Sequence, residues 1–217
     1  MPITLYCLSG SPFSWKVWLA LEHKALPYKL RVLSADAGDL KSPECLAVNP
    51  RGKVPIIVDD GFALAESTAI IEYIEDQYPQ FGGRLWPSDV RERALARRHA
   101  IETDDYVYPH VRTLVRGLLM RGGPGGDSAS IEAAKAELAA ELAALEKSIE
   151  HDFLTGATPT AADFAMYPMT ALLMRIQSLR PDADVSSIIP DALRNWMARI
   201  EALPYFAKTT PPHWRQS

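Results

Sequence analysis

The fold of this chain is decided by three segments between residues 11 and 73: Ser11-Pro12-Phe13-Ser14-Trp15-Lys16-Val17, Lys53-Val54-Pro55 and Glu66-Ser67-Thr68-Ala69-Ile70-Ile71-Glu72-Tyr73. Ser11 comes just before an amphipathic helix, where unpaired N–H groups and the helix dipole favour a negative charge. Pro55 cannot donate to a strand ladder, so it suits a strand start or a sheet edge. Ser67 opens a second helix, where its hydroxyl and N–H groups could take a carboxylate. The three segments therefore predict secondary structure and also offer candidate anion-binding positions.

Strands and helices alternate around these segments. We predict strands at residues 3–8, 28–33, 54–58 and 62–64, and helices at 12–24 and 67–78. Asp59-Asp60-Gly61 is a hairpin turn in which Gly61 can take the positive φ that such turns need. The order βαβ then ββα is that of a thioredoxin-like α/β domain, which we place at residues 1–80.

The strand signals stop after a Pro- and Gly-rich linker at residues 79–88. Helices are predicted at residues 90–119, with a kink or break at Pro109, and at 130–149 and 190–203. A flexible turn is predicted at 121–126. Thr160-Ala161-Ala162-Asp163 reads as a capping box that starts another helix. Residues 88–217 therefore form an all-helical C-terminal domain.

Composition narrows the function. The chain has 217 residues, 47% of them hydrophobic, and a formal net charge of −4, which argues against a general nucleic-acid binder. Two cysteines make no disulfide framework, and neither a leader nor an apolar run near 18 residues is visible. We expect a cytoplasmic protein that acts on neither nucleic acid nor membranes. The five histidines show no metal-ligand spacing, so no metal is expected.

Over nearly its whole length the chain resembles the cytosolic glutathione transferases. Ser11-Pro12-Phe13 is similar to the tau class, and Ser14-Trp15-Lys16-Val17 resembles the zeta class, where Ser-Trp-Arg-Val is usual. In both classes the catalytic serine falls on Ser11. The resemblance implies glutathione as co-substrate, and the residues that it assigns to glutathione are Phe13, Lys41, Lys53, Val54, Pro55, Glu66 and Ser67. Lys41 and Lys53 would approach the glycine carboxylate, Val54 the cysteinyl unit, and Glu66 and Ser67 the γ-glutamyl group; Pro55 is expected to be cis.

The chemistry fits one hydroxyl donor. A glutathione thiol titrates near 8.5, so only about 3% is thiolate at pH 7. Lowering that pKa by about two units needs roughly 2.7 kcal/mol, and one hydrogen bond to a charged group supplies about 1.5–3 kcal/mol. Ser11 would donate to the thiolate without forming a covalent bond. The alternative is that Ser11 is a plain N-cap; Ser14 and Ser9 are competing donors, and Tyr6 lacks the context of the tyrosine-type enzymes.

The sequence defines the binding site of the electrophile less closely than that of glutathione. By the resemblance, the helix with Tyr106, His110, Arg112 and Arg116 lines the second-substrate pocket, although each could equally belong to an exposed or interface-facing polar helix. Asp104 and Asp105 are adjacent and cannot converge as a catalytic pair. Cys7, without a C-x-x-C partner, reads as a small core residue.

Three functions stay open. The first is a detoxifying transferase that conjugates glutathione to small electrophiles. The second is a glutathione-dependent cis–trans isomerase of the maleylacetoacetate type, although the zeta class has Ser-Cys where this chain has Pro12-Phe13. The third is a non-catalytic protein of the same fold. A homodimer is expected, with Arg93, Arg97, Arg98, Asp104 and Asp105 complementing the acidic Glu72, Glu75 and Asp76.

Overall fold

Two compact units make up the protein. The computed structural model describes residues 2–120, 127–147, 149 and 151–214. One unit contains the described residues of 2–86 together with 203–214, and the other contains those of 87–202. The tail at 203–214, which the sequence led us to include in the helical domain, thus packs with the first unit. The turn predicted at 121–126 lies outside the described residues.

The first unit is built on a four-stranded mixed sheet in the order β2-β1-β3-β4. Its elements are β1 (Ile3–Leu8), α1 (Pro12–His23), β2 (Tyr28–Leu33), α2 (Pro43–Val48), β3 (Ile56–Asp59), β4 (Phe62–Ala65) and α3 (Ser67–Gln77). β1 pairs in parallel with β2 and antiparallel with β3, and β3 pairs antiparallel with β4. The predicted thioredoxin-like α/β domain is confirmed; the short helix α2 was not predicted.

The β3–β4 connection follows the predicted turn chemistry. Asp60 has φ +45° and Gly61 has φ +87°. Two successive residues with positive φ match the two-residue hairpin loop whose twist suits the flanking strands. The turn fixes the register that brings the start of β3 opposite the end of β4, with Ile56 paired to Ala65.

Helix α1 is buried on more sides than one amphipathic face requires. All residues from Ser14 to Leu21 are buried. The reason is the tail, whose short helix α9 (206–209) packs against α1, with the ring centroids of Trp15 and Phe206 6.2 Å apart. Helix α1 therefore has the sheet side and the tail side both covered.

The second unit is helical in its described parts. Its helices are α4 (Val90–Glu102), α5 (Tyr108–Leu119), α6 (Ser128–Glu146), α7 (Ala161–Leu179) and α8 (Asp191–Glu201). The break predicted at Pro109 takes another form: residues 103–107 form a π-helical segment, and Pro109 sits in the first turn of α5. A proline there has no N–H to continue the α-helical pattern, so the wider turn falls just before it. The predicted capping box at the start of α7 is confirmed.

Candidate functional site

The segments at residues 11–17, 53–55 and 66–73 meet at one edge of the sheet. Tyr6 near the end of β1 pairs with Ile56 at the start of β3, and Ile56 also pairs with Ala65 at the end of β4. Because both partners of β3 run antiparallel to it, the turn after β1, the residues before β3 and the residues after β4 lie on the same side. This edge carries Ser11, Val54-Pro55 and Glu66-Ser67.

Ser11 is the N-cap of α1. Its backbone is extended, its N–H donates to the carbonyl of Leu8 at 3.1 Å, and its Oγ accepts from the N–H of Ser14 at 3.3 Å. The side chain is half-buried. A serine hydroxyl has one donor and two acceptor lone pairs, so the cap bond uses only an acceptor site. Capping and donation to a ligand are therefore compatible roles for Ser11.

Ser14 is a poor competitor for that role. Its side chain is 2% exposed, and its Oγ is buried with no hydrogen-bond partner among the described residues. A hydroxyl without solvent contact cannot meet an incoming thiol unless the first turn of α1 moves. Burial thus favours Ser11 as the donor.

The two lysines expected at the ligand lie on either side of α2, Lys41 before it and Lys53 in the loop between α2 and β3. Gly52 has φ +58°, and a Cβ there would lie 2.6 Å from the carbonyl oxygen of Leu40 and 3.2 Å from Lys41 Nζ. Asn49 Nδ2 donates to the carbonyl of Lys53 at 2.8 Å and fixes the loop from inside. Lys41 and Lys53 are both exposed. The close approach that Gly52 permits brings Lys41 to the loop that carries Lys53.

The Val54–Pro55 peptide is cis, as expected from the resemblance. Val54 is half-buried and Pro55 is buried, directly before β3 begins at Ile56. Since Pro55 has no N–H, Val54 lies just outside the ladder. Its backbone groups are placed where an extended ligand could pair with them.

The turn into α3 is conformationally unusual. Glu66 is exposed and has φ +71°, a region that non-glycine residues rarely occupy. Ser67 begins α3 and is 7% exposed. The turn therefore places an acidic side chain at the surface immediately before a helix N-terminus, where the dipole favours an anion.

Lys16 also lies in this region, although the sequence alone gave it no role. Its side chain is 1% exposed, and its Nζ donates to Thr68 Oγ1 at 3.1 Å. Thr68 is the second residue of α3, so this buried cation ties α1 to the start of α3. The sequence did contain an indication that Lys16 is buried, because Lys16 lies between Trp15 and Val17 in a largely apolar helix.

The four electrophile candidates do not share one helix face. Tyr106 lies in the π-helical segment and is 57% exposed, and His110 follows one turn later in α5 and is half-buried. Arg112 and Arg116 are exposed. Two helical residues apart is about 200° of rotation, so His110 and Arg112 point to opposite sides. Tyr106 with His110, and Arg112 with Arg116, form two separate pairs.

The cysteines lie away from this chemistry. Cys7 and Cys45 are buried and unpaired. Burial raises the pKa of the Cys7 thiol to about 11, which opposes the thiolate that a redox role needs. Across the described ranges, His, Cys, Asp and Glu side chains form no group with the arrangement of a metal site.

Comparison with known proteins identifies the family. The family model for the glutathione S-transferase N-terminal domain matches residues 10–77, and that for the C-terminal domain matches residues 128–199. Glutathione S-transferase 3 of Zea mays is 31% identical over 211 residues, covering 96% of this chain and 93% of its own length. The chain belongs to the glutathione S-transferase family.

Two further comparisons set its relations within the family. The maleylacetoacetate isomerase of Dictyostelium discoideum is 31% identical over 167 residues, with 75% of each chain covered. The crystal structure of poplar glutathione transferase F1 superposes with a TM-score of 0.85 at 26% identity, covering 100% of this chain and 99% of that one. Proteins named as transferases and as isomerases are thus both among the relatives, and glutathione is the co-substrate that the family assigns. No helix in the described part of the chain combines the length and the apolar character needed to cross a membrane.

Proposed function

We propose that the protein is a serine-type glutathione transferase that conjugates the thiolate of glutathione to small electrophiles in the cytoplasm. The observation that carries the proposal is the shared sheet edge, where Ser11 keeps its hydroxyl hydrogen available beside Val54-Pro55 and Glu66-Ser67. One edge offers a donor for a thiolate, a backbone for a peptide and a helix start for a carboxylate.

Each part of glutathione has a counterpart in the chain. Lys41 and Lys53 neutralise the glycine carboxylate, and the backbone of Val54 pairs with the cysteinyl unit beside Phe13 and Pro55. Glu66 accepts from the γ-glutamyl amine, and Ser67 donates to its carboxylate. Charge-assisted bonds of this kind are the stronger ones, so a flexible tripeptide is held at both ends.

Ser11 then supplies the activation. Its hydroxyl donates to the sulfur and favours the thiolate, whose lone pair attacks the electrophilic carbon. A carbon–sulfur bond forms, and either a leaving group departs with its electron pair or the adduct takes up a proton. The start of α1 adds the favourable field of its dipole.

A thermal-shift titration with glutathione tests binding. A ligand that binds only the native state stabilises it by about 2.7 kcal/mol at a hundred times its dissociation constant. We expect the melting temperature to rise with millimolar glutathione, and less so for Lys53→Ala. An unchanged melting temperature in wild type would refute the proposal. Turnover of electrophiles, followed by loss of the free thiol, then tests conjugation.

Isomerisation is the second candidate, because relatives named maleylacetoacetate isomerase match this chain. In that reaction the thiolate adds to a cis double bond and leaves again, so glutathione is not consumed. A cis-dienoic acid that isomerises at constant thiol concentration would establish this function in place of conjugation. If glutathione binds and no electrophile or dienoic acid reacts, the third reading, a non-catalytic binding protein, is the correct one.

The electrophile is proposed to meet the helix that carries Tyr106 and His110, with Arg112 and Arg116 as the second pair. Because the two pairs point in different directions, substituting one pair at a time shows which pair contacts the electrophile. Loss of Tyr106 or His110 should raise the KM for an aromatic electrophile and leave that for glutathione unchanged. Equal effects of all four substitutions would contradict this assignment.

A homodimer is part of the proposal. Four large apolar side chains are exposed along α4 and the turn after it: Val90 68%, Leu95 46%, Ile101 53% and Tyr106 57%. Val90, Ile101 and Tyr106 line one surface depression together with charged residues that include Arg97 and Asp105. Exposed apolar surface rimmed by charge is typical of protein interfaces. One sequence expectation needs correction: Glu75 is bound to the buried Lys24 at 3.0 Å and is no part of an open acidic patch.

Sedimentation at micromolar concentration tests the dimer. Wild type should have about twice the 24.0 kDa chain mass. Ile101→Lys puts a charge into the apolar stretch and should shift the protein toward the monomer. The matched control is Leu179→Lys, at an exposed apolar position at the end of α7. A monomeric wild type, or equal dissociation by both variants, would contradict the assigned surface.

A further inference from the structure

The tail runs back along α1 toward Ser11. Tyr205 Oη bonds His23 Nδ1 at 2.8 Å near the end of α1, and Lys208 Nζ bonds Glu22 at 3.2 Å. Further along, Trp15 Nε1 donates to Thr209 Oγ1 at 3.0 Å in a buried bond. The tail therefore follows α1 from its last turn to its first.

The tail ends on both sides of the N-cap residue. His213 Nδ1 lies 2.6 Å from Ser9 Oγ, two residues before Ser11, and the ring of Trp214 meets Trp15 edge-on with centroids 5.2 Å apart. Between them is Gly10, which has φ +80° and whose added Cβ would lie 3.0 Å from His213 Cε1. A glycine at position 10 takes this positive φ and this close approach of the imidazole without strain.

The direction of the bonds follows from the indole. Trp214 Nε1 lies 2.8 Å from His213 Nε2, and an indole N–H is only a donor. Nε2 is thus the acceptor, and in the neutral ring the proton is on Nδ1, which donates to Ser9 Oγ. This orientation is opposite to that of a hydrolase pair, where the imidazole nitrogen facing the serine must be unprotonated to take its proton. Ser9 is held in place by His213 and is not activated as a nucleophile.

Ser11 is tied directly to both segments that the tail contacts. Its N–H bonds Leu8 on one side, and its carbonyl accepts from the N–H of Trp15 at 3.0 Å on the other. Ser9 and Gly10 form the link between Leu8 and Ser11, so any motion of that link moves the Ser11 hydroxyl. Donors at reactive sites must stay within about 0.5 Å of their working position, and a displacement of about 1 Å can cost on the order of a hundredfold in rate.

We propose that His213 is a positioning residue for the Ser11 hydroxyl, acting through its bond to Ser9. The inference rests on the proposed role of Ser11 as thiol donor. Trp214 orients the imidazole, the imidazole fixes Ser9, and Ser9 with Gly10 fixes the point from which Ser11 reaches the thiolate.

Three substitutions of His213 separate this role from simple packing. His213→Ala removes both bonds. His213→Asn keeps an amide N–H close to where Nδ1 stood and can still donate to Ser9. His213→Gln carries its amide further out, near the former Nε2, where it can accept from Trp214 and does not reach Ser9 in the same way. Tyr205→Phe is the control, because it removes a tail contact at the far end of α1.

The readouts are the pKa of enzyme-bound glutathione, from the ultraviolet absorbance of the thiolate, and the separate kcat and KM for glutathione. We expect His213→Ala to raise the bound-thiol pKa and lower kcat by about tenfold with little change in KM. His213→Asn should recover most of both, and His213→Gln and Ser9→Ala should resemble His213→Ala. Tyr205→Phe should leave the thiol pKa unchanged.

The outcomes are distinct. If wild type binds glutathione with a lowered thiol pKa and His213→Ala keeps it, the inference is wrong and the proposed function stands. Equal losses in the Ala, Asn and Gln variants would also overturn it, since they would show that the ring volume matters and the bond to Ser9 does not. If wild type neither binds glutathione nor lowers its pKa, both proposals fail together.

Discussion

Helices α1 and α7 are both capped by a hydroxyl residue, Ser11 and Thr160, and their first turns differ in one respect that separates structure from function. At the start of α7, all four acceptor positions of the Asp163 carboxylate are occupied: Oδ1 by Leu154 N and Trp196 Nε1, and Oδ2 by Thr160 N and Oγ1. At the start of α1, Ser11 makes one 3.3 Å cap bond and no acidic residue follows in the first turn. A cap whose hydrogen-bonding positions are all occupied cannot bind a ligand, whereas a cap with a remaining donor position can.

Burial follows the same division. Asp163 is 0% exposed, and Ser11 is half-buried at a sheet edge. Burial raises the pKa of Asp163, and its four donors oppose that rise. A buried carboxylate depends on every one of its partners, while a half-exposed hydroxyl can exchange partners with solvent or substrate. The comparison predicts that substitution of the α7 cap will lower the free energy of unfolding, and that substitution of the α1 cap will lower turnover.

The largest expected effect is therefore that of Asp163→Ala. Four donors lose their acceptor, and unpaired buried donors are costly, so we expect a loss of about 3–5 kcal/mol in the free energy of unfolding. Urea denaturation followed by circular dichroism measures it. The control is Asp127→Ala, since Asp127 caps α6 at an exposed position where water replaces the carboxylate. Similar losses in both variants would remove the distinction between saturated and open caps.

Ser11→Ala should have the complementary profile. Losing one donor to a thiolate should lower turnover by about tenfold to a hundredfold, with glutathione affinity nearly intact. The bound-thiol pKa should rise toward that of free glutathione, while the free energy of unfolding falls by no more than about 1 kcal/mol, as for a lost cap.

Ser14→Ala is the matched control three residues away. It removes a buried hydroxyl that has no partner among the described residues, so stability should hold and turnover should change little. If Ser14→Ala abolishes turnover and Ser11→Ala does not, the thiol donor is Ser14 and the open-cap argument is wrong.

The sequence supports the two caps unequally. Thr160 and Asp163 have capping-box spacing, which local chemistry alone predicts, and the strand and helix order of the first unit follows from hydrophobic periodicity. The other two partners of Asp163, Leu154 and Trp196, have no signal in spacing. Leu154 depends on the path of the irregular segment before α7, and Trp196 depends on how α8 packs against α7. Local rules predict the cap and not its saturation.

The same limit applies to the tail. Short elements such as α9 have too few residues for a periodic pattern, so the association of 203–214 with the first unit could not be predicted. Gly10 was visible as a glycine, yet its close approach to His213 joins positions about two hundred apart in the chain. The bond between Ser9 and His213 follows from tertiary packing, which single-sequence patterns do not contain.

The smallest predicted effect concerns one histidine in each unit, the half-buried His23 and the buried His99. Burial is the main cause that lowers the pKa of His23 and of His99 below the ordinary histidine value. His23 is bonded to Tyr205 Oη and to the carbonyl of Arg84, and His99 lies 3.4 Å from Glu102 with Arg98 beside it. In the unfolded chain these imidazoles titrate near 6.5.

Between the lowered folded pKa and about pH 6.5, the unfolded chain binds more protons than the native one, so stability falls as pH falls through that window. Each histidine contributes a slope of at most about 1.4 kcal/mol per pH unit. His99→Gln should lower stability at every pH and reduce the slope between pH 7.5 and 5.5, measured by urea denaturation. His151→Gln, at an exposed position, should keep the wild-type slope. An identical slope in wild type and His99→Gln would mean that the pH dependence arises elsewhere, with the tail contact of His23 the next to examine through His23→Gln.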